Sequence, residues 1–180
     1  MRKIMNKTLI SRLKKIKLIA MDVDGVLTDS GAYYSENGIE LKKFSIRDGM
    51  GMMLLKKAGY TIALVTTENT KIVEKRAERL KVDELHQGVI NKKETIELLM
   101  KKYSLEWNEI AFIGDDINDI PVLKKVGFAA TPADATAINK KIAHYITKTN
   151  GGNGCVREVC DLFISLKWKD DAVTDLWLTK

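Results

Sequence analysis

Cysteine and long apolar segments are both scarce in this sequence, and their scarcity excludes several classes of protein. The two cysteines, Cys155 and Cys160, are five residues apart on a predicted helix, which does not suit a CxxC metal or redox site. We therefore expect free thiols in a reducing compartment. No apolar run reaches the ~20 residues that a membrane helix needs, and the N-terminal residues lack the apolar core of a signal peptide. We predict a cytoplasmic protein with no membrane partner.

A concentrated basic surface is also missing. The sequence has 30 Lys and Arg against 24 Asp and Glu, a net charge of +6, but the basic residues are dispersed among the acidic ones. No basic stripe with interleaved aromatic residues is present, which argues against nucleic acid as a partner. The positive balance would suit an anionic small molecule, although charge alone does not decide between partners.

Short apolar strands alternate with helical segments along the chain. The clearest strands lie at about 17–21, 61–65 and 110–113. Strands separated by helices at this spacing predict an α/β fold, with a Rossmann-like, mostly parallel sheet and helices on both faces. No internal repeat or linker is present, so we predict a single domain over residues 1–180. Its core is predicted at 16–166, followed by a C-terminal tail at 167–180.

A β-hairpin is predicted between the first two strands. Asn37-Gly38 separates two β-prone runs, which is a strong short-range signal for a hairpin. We expect a two-stranded flap over about residues 29–45. A flap that follows a polar loop directly is well placed to cover it.

Polar side chains follow the apolar strands. Asp22 and Asp24 come directly after the first strand, ahead of Gly25. Such a pair can be an ordinary surface turn. However, Thr66 and Asp115 follow two other strands, and ligands of parallel sheets bind beyond the carboxyl ends of the strands. The sequence therefore predicts a site where these strands end.

These side chains suit a metal and a phosphate. The carboxylates of Asp22, Asp24 and Asp115 are hard oxygen ligands of the kind that Mg²⁺ prefers. Thr66 could bind a phosphate oxygen or could cap the helix that follows it. Lys92 could meet phosphate charge or could be one more solvated lysine. A nucleophile, a proton carrier and charge neutralisation are what phosphoryl transfer to a carboxylate requires.

The order of these residues resembles that of the haloacid dehalogenase superfamily of phosphohydrolases. The resemblance covers about residues 16–166. The segments that carry it are Asp22-Val23-Asp24-Gly25-Val26, Thr66, Lys92 and Gly114-Asp115-Asp116-Ile117-Asn118-Asp119.

The resemblance implies catalytic roles for these residues. Asp22 would be the nucleophile, and Asp24 would give and take the proton. Thr66 and Lys92 would hold the phosphoryl oxygens. Mg²⁺ would bind the side chains of Asp22 and Asp115 and the backbone carbonyl of Asp24.

Two further aspartates belong to the last of these segments. Asp116 either contributes to the site or caps a helix. By resemblance, Asp119 would support Lys92 or the surroundings of the metal.

The chain lacks a large insertion, so it resembles the capless branch that includes 3-deoxy-manno-octulosonate (KDO) 8-phosphate phosphatase. Members of this branch form tetramers in which neighbouring subunits close the site, so we expect a homotetramer. The glycine-rich segment 151–154 would help to close the site; the alternative is a flexible loop.

The predicted substrate is a sugar-acid phosphate. The segment 44–49 is similar to the substrate-binding segment of octulosonate enzymes. Arg47 and Arg76 could pair with a sugar carboxylate, or could form a helix-start ion pair and an exposed helix arginine. The predicted substrate contacts are Ser45, Arg47, Asp48, Gly49, Glu68, Arg76 and Lys92.

Some residues depart from the octulosonate pattern. Glu68 is more similar to phosphatases of nine-carbon sugar-acid (nonulosonate) 9-phosphates, and Thr67 replaces a usual glycine. The segment 47–49 still favours the octulosonate enzymes, so we place KDO 8-phosphate first and a nonulosonate (KDN or N-acylneuraminate) 9-phosphate second. A non-catalytic oligomeric relative is a third possibility, which the complete set of motifs disfavours.

Overall fold

The computed structural model describes residues 7–38, 40–168 and 170–178. In chain order the strands are β1 (Leu18–Met21), β2 (Tyr33–Tyr34), β3 (Glu40–Leu41), β4 (Thr61–Val65), β5 (Glu84–His86), β6 (Ile110–Ile113), β7 (Phe128–Thr131) and β8 (Tyr145–Ile146). The α-helices are α1 (Lys7–Leu13), α2 (Ile46–Lys57), α3 (Lys71–Leu80), α4 (Lys92–Tyr103), α5 (Ile120–Leu123), α6 (Ala137–Ile142), α7 (Cys155–Lys167) and α8 (Asp170–Leu178).

Six strands form one parallel sheet in the order β5-β4-β1-β6-β7-β8. The central strand β1 is buried along its whole length, because it has neighbours on both edges and helices on both faces. Its side chains alternate between two cores. Ile19 and Met21 pack in the core under α2 and α7, whereas Leu18 and Ala20 pack in the core under α4 and α5. The predicted α/β architecture is confirmed.

The register of the sheet brings three strand ends together. Met21, the last residue of β1, pairs with Leu64 on one side and with Ile113 on the other. The polar residues that follow β1, β4 and β6 therefore emerge along one edge of the sheet.

The flap is present as a short hairpin. Strands β2 and β3 pair antiparallel, with Tyr33 opposite Leu41 and Tyr34 opposite Glu40. Gly38 in the connecting turn has a φ of 73°, a left-handed conformation that glycine adopts easily. Between β1 and β4 the described residues form this flap and α2, with no cap domain.

Two predicted boundaries differ from the structure. The sequence pattern predicts a helix over about 133–141, but α6 begins at Ala137, because the side chain of Thr136 caps it by accepting from the Asn139 amide. The sequence pattern also predicts an amphipathic helix over about 5–15. The structure has it at Lys7–Leu13, with residues 5 and 6 outside the described part.

The C-terminal tail ends in helix α8, which packs on the domain. Leu176 of this helix is buried in the core under α2 and α7, and the ammonium of Lys57 lies 5.5 Å from the ring centroid of Trp177. Over the described residues, no helix is both long and apolar enough to cross a bilayer.

Candidate active site

An open cavity of about 660 Å³ lies beyond the carboxyl ends of the central strands. Asp22, which directly follows β1, lines it, as do Thr66 after β4 and Asp115 after β6. Asp24 and Glu68, two further residues predicted for the site, also line the cavity. The sheet register thus brings together side chains that are as much as 93 positions apart in the sequence.

Lys92 lies behind this cavity, fully buried at the first position of α4. Its ammonium donates to Asp22 Oδ2 and, at 2.7 Å, to Asp119 Oδ1. Burial by itself would lower the pKa of Lys92, but the charges of the two carboxylates outweigh it and raise the pKa above its ordinary value. Lys92 is therefore a fixed positive charge beside the predicted nucleophile.

Asp22 is held on both of its oxygens. Oδ1 accepts from the Val23 amide at 2.7 Å, and Oδ2 accepts from Lys92. Burial, followed by the negative charge of Asp119, raises the pKa of Asp22 to about 6 although Lys92 opposes the shift. At neutral pH the group is mostly ionised, as a nucleophilic carboxylate must be.

Asp115 completes a cluster of three carboxylates. Burial, then the charges of Asp119 and Asp22, raise the pKa of Asp115 to about 8. Its buried Oδ1 has no hydrogen-bond partner within the described residues. One oxygen each from Asp22, Asp115 and Asp119 lies within 4.8 Å of the other two. An unpartnered buried oxygen in an all-carboxylate set fits a divalent cation such as Mg²⁺.

Gly25 makes room for this cluster. A side chain at this position would put its Cβ 1.9 Å from Asp115 Oδ2. The φ of Gly25 is also +79°, which disfavours any residue with a side chain. The glycine after the paired carboxylates is therefore required by both space and backbone conformation.

Asp119 supports the cluster rather than facing the cavity. It is fully buried, and its Oδ2 accepts from the amides of Asp115 and Asp116 at 2.9 and 3.3 Å. Asp116 is exposed, and its Oδ1 accepts from the Ile117 amide at 2.7 Å, so it caps the short 3₁₀ helix Ile117–Asp119. Asp116 thus caps this helix, and it also lines the cavity.

Thr66 is buried at the end of β4, and its hydroxyl accepts from the Glu68 amide at 3.3 Å. It does not cap α3, because Thr70 does so by accepting from the Val73 amide. The neighbouring Thr67 is exposed, and its hydroxyl accepts from the amide group of Asn118 at 3.2 Å.

The Asp24 carboxylate makes a contact that the sequence analysis missed. It accepts from the ammonium of Lys42, just after β3 of the flap, at 2.8 and 2.7 Å, and from the hydroxyl of Thr28 at 3.1 Å. The only sequence signal for Lys42 was its place on a flap that follows residues 22–29, the catalytic loop.

Several predicted substrate contacts lie elsewhere in this chain. Ser45 caps α2, and Arg76 donates to the Ser45 carbonyl at 2.8 Å. Asp48 is fully buried and accepts from the amides of Gly154 and Arg157 at 3.2 and 2.7 Å. The structure thus gives Asp48 a structural role at the start of α7 and no place on the cavity wall.

Gly49 and Arg47 also lie off the cavity wall. Gly49 is buried against Arg76, and a Cβ added to it would lie 2.7 Å from the Arg76 Nη2. Arg47 is exposed at the start of α2. Substrate contacts by these two residues remain predictions.

The glycine-rich segment 151–154 packs on the catalytic loop. A Cβ on Gly151 would lie 2.0 Å from the Gly25 carbonyl oxygen, and the Gly152 amide donates to the Val26 carbonyl at 2.9 Å. Only glycine allows such close approach of two backbones, so this segment supports the loop from within the chain.

This arrangement agrees with comparison to known proteins. The family model of haloacid dehalogenase-like hydrolases matches residues 65–159, more than half of the chain. The chain belongs to this family. The resemblance drawn from the sequence motifs is confirmed, and the chain is accordingly a hydrolase of the haloacid dehalogenase type.

Individual relatives of this hydrolase share one name. The 3-deoxy-D-manno-octulosonate 8-phosphate phosphatase of Escherichia coli strain K12 is 39% identical over 162 residues, covering 90% of this chain and 86% of that protein. The Yersinia pestis protein of the same name is 38% identical over 167 residues, covering 93% and 89%. A crystal structure of the Moraxella catarrhalis enzyme with magnesium, phosphate and KDO has a TM-score of 0.90 at 35% identity, covering 94% of this chain and 97% of that chain.

Proposed function

We propose that this hydrolase removes the phosphate of KDO 8-phosphate through an aspartyl-phosphate on Asp22. The observation that carries the proposal is the convergence of Asp22, Asp24, Lys92 and Asp115 where β1 and β6 end. The relatives named above support the substrate, because they are similar to this chain over nine-tenths of its length.

The first half of the reaction uses both aspartates of the catalytic loop. Asp22 attacks phosphorus through a carboxylate oxygen, and the bond between phosphorus and the sugar oxygen breaks. Asp24 gives its proton to the departing alkoxide, which leaves as a sugar hydroxyl. Lys92, which bonds Asp22, and Thr66, which lines the same cavity, hold the phosphoryl oxygens while charge moves onto them.

The second half regenerates the enzyme. Asp24, now ionised, takes a proton from a water molecule that attacks phosphorus. The bond between phosphorus and the Asp22 oxygen breaks, which releases inorganic phosphate and restores both carboxyl groups to their starting states.

Magnesium fits two of the three clustered carboxylates. We propose that the side chains of Asp22 and Asp115 and the backbone carbonyl of Asp24 hold it. When bound, it supplies neutralisation of the phosphoryl charge. The orphaned Oδ1 of Asp115 supports this assignment.

The alternative substrate is a nonulosonate 9-phosphate. It is supported by Glu68, which is similar to the residue of the nonulosonate phosphatases and lines the cavity. The third possibility, a non-catalytic relative, is disfavoured because the catalytic side chains are all present: Asp22, Asp24, Thr66 and Asp115 line one cavity, and Lys92 bonds Asp22.

We also propose a cytoplasmic homotetramer of a single-domain subunit. The flap exposes three large apolar side chains, Tyr33, Tyr34 and Leu41, the last two 72% and 63% exposed. Apolar side chains clustered on a hairpin fit a contact with another subunit that closes the cavity. Light scattering behind size-exclusion chromatography tests the tetramer.

Steady-state kinetics with KDO 8-phosphate and a nonulosonate 9-phosphate test the activity. We expect Mg²⁺-dependent phosphate release with kcat/KM at least a hundredfold higher for the former, which equals ~2.7 kcal/mol of discrimination. Asp22→Asn should abolish release. Asp161→Asn, at an exposed carboxylate on α7, is the control and should remain active. Full turnover by Asp22→Asn would refute the nucleophile, and a preference for nine carbons would establish the alternative.

A further inference from the structure

A flap lysine contacts the predicted proton carrier directly. Lys42 Nζ lies 2.8 Å from Asp24 Oδ1 and 2.7 Å from Asp24 Oδ2, so one ammonium bonds both carboxylate oxygens. The Lys42 side chain is 6% exposed, although its neighbours on the flap are largely exposed. A lysine on an exposed flap usually extends its ammonium into solvent, so the burial of Lys42 indicates a specific contact with Asp24.

The two oxygens of Asp24 are not equivalent. Oδ1 accepts from Lys42 and also from the Thr28 hydroxyl at 3.1 Å. In the part of the chain that the structure describes, Oδ2 accepts from Lys42 alone. A carboxylate oxygen has two lone pairs, so both pairs of Oδ1 are used, and one pair of Oδ2 is left to receive or deliver a proton.

A second carboxylate helps to hold Lys42 at this place. Glu40 Oε1 lies 3.7 Å from the ammonium. Among the described residues that line the cavity, Lys42 is the only basic one.

We propose that Lys42 is a positioning residue that, from the flap, orients the Asp24 carboxylate so that Oδ2 exchanges the proton with the sugar oxygen. The inference rests on the proposed function, because it assumes that Asp24 protonates a leaving alkoxide. It adds that the flap sets the geometry of proton transfer. Lys42 acts through Asp24 and is not itself a proton donor.

Two substrates with different leaving groups distinguish a positioning role of Lys42 from a role in substrate binding. An alkoxide needs a proton as its bond to phosphorus breaks, whereas p-nitrophenolate is weakly basic and leaves without one. Misorienting Asp24 should therefore slow formation of the aspartyl-phosphate from a sugar phosphate and not from p-nitrophenyl phosphate. Rapid-quench measurement of the first turnover, with Mg²⁺ present, reports this step for both substrates.

We expect Lys42→Met to slow the first turnover of KDO 8-phosphate by about 100-fold, the usual effect of misplacing a catalytic group by ~1 Å. For p-nitrophenyl phosphate the change should be less than about threefold. Lys42→Arg, which can also bond both oxygens, should recover most of the lost rate. Lys43→Met is the matched control: Lys43 is exposed on the flap and donates to Asn153, so its loss should leave both rates unchanged.

Three results would overturn the inference while the wild-type protein is active. They are an unchanged rate for Lys42→Met, an equal loss for both substrates, and a rise in KM with kcat unchanged. The last two would assign Lys42 to substrate binding. If the wild-type protein releases phosphate from neither substrate, the proposed function fails and the inference fails with it. Thermal unfolding of each variant checks that the fold is retained.

Discussion

Removing the metal should make the stability of this protein strongly dependent on pH. In the metal-free protein, Asp22, Asp115 and Asp119 face one another with Lys92 between two of them. The folded-state pKa values of Asp22 and Asp115 are raised to about 6 and about 8. The folded protein therefore binds protons more tightly than the unfolded chain, and stability is lost as the pH rises from about 4 through these values.

The size of the effect follows from the same values. The half-buried Asp115 has a folded-state pKa of about 8, so about 2.5 pH units of the range from pH 5.5 to pH 8.5 lie below this pKa. Over these units the folded protein loses about 3 kcal/mol of stability. Asp22 adds less than about 1 kcal/mol, because its pKa of about 6 lies near the start of this range. A loss of 3–4 kcal/mol should lower the melting temperature of a chain of this length by about 10 °C.

Thermal unfolding followed by circular dichroism, with a chelator present, measures this loss. Saturating Mg²⁺ should restore most of the lost stability at pH 8.5, because the cation binds the ionised carboxylates of the folded state. Asp115→Asn should melt higher than the wild-type protein at pH 8.5 without metal and should gain little from Mg²⁺. Asp116→Asn, which removes an exposed neighbouring charge, should change the metal-free melting temperature by less than about 3 °C.

The reasoning would be refuted by a metal-free melting temperature that stays level or rises between pH 5.5 and pH 8.5. A metal-free Asp115→Asn protein that melts below the wild-type protein at pH 8.5 would refute it equally. Either result would mean that the acidic cluster is not a source of strain without its cation.

Three further substitutions test other parts of the structure. Asp48→Ala leaves two backbone amides at the start of α7 without their acceptor. It should lower the free energy of unfolding, measured by urea denaturation, by about 2–4 kcal/mol. Gly25→Ala places a methyl group against the Asp115 carboxylate and should weaken Mg²⁺ binding about tenfold or more by calorimetry, with unaltered affinity as the contrary result. Tyr103→Phe removes a hydroxyl that donates to Glu84, and should lower the free energy of unfolding by about 1 kcal/mol.

The sequence by itself determined the secondary-structure elements and the residue types that form the site. Strand β4 (Thr61–Val65) lies where its apolar run predicts it, because a strand with helices on both faces of its sheet is buried and apolar throughout. Asp22 and Asp115 could be assigned to one site because parallel strands end at a common edge. These conclusions need only local pattern and the order of the strands.

Only the tertiary structure decided which distant groups share a contact. The Lys42 ammonium bonds a carboxylate 18 positions away, and Asp48 accepts from amides more than 100 positions away. Nothing in periodicity separates Lys42 from the other basic residues, or indicates that Asp48 accepts from the amides at the start of α7. Such contacts depend on how the flap and α7 pack against the sheet, because an ion pair or a cap forms only where folding brings its two groups within about 3 Å.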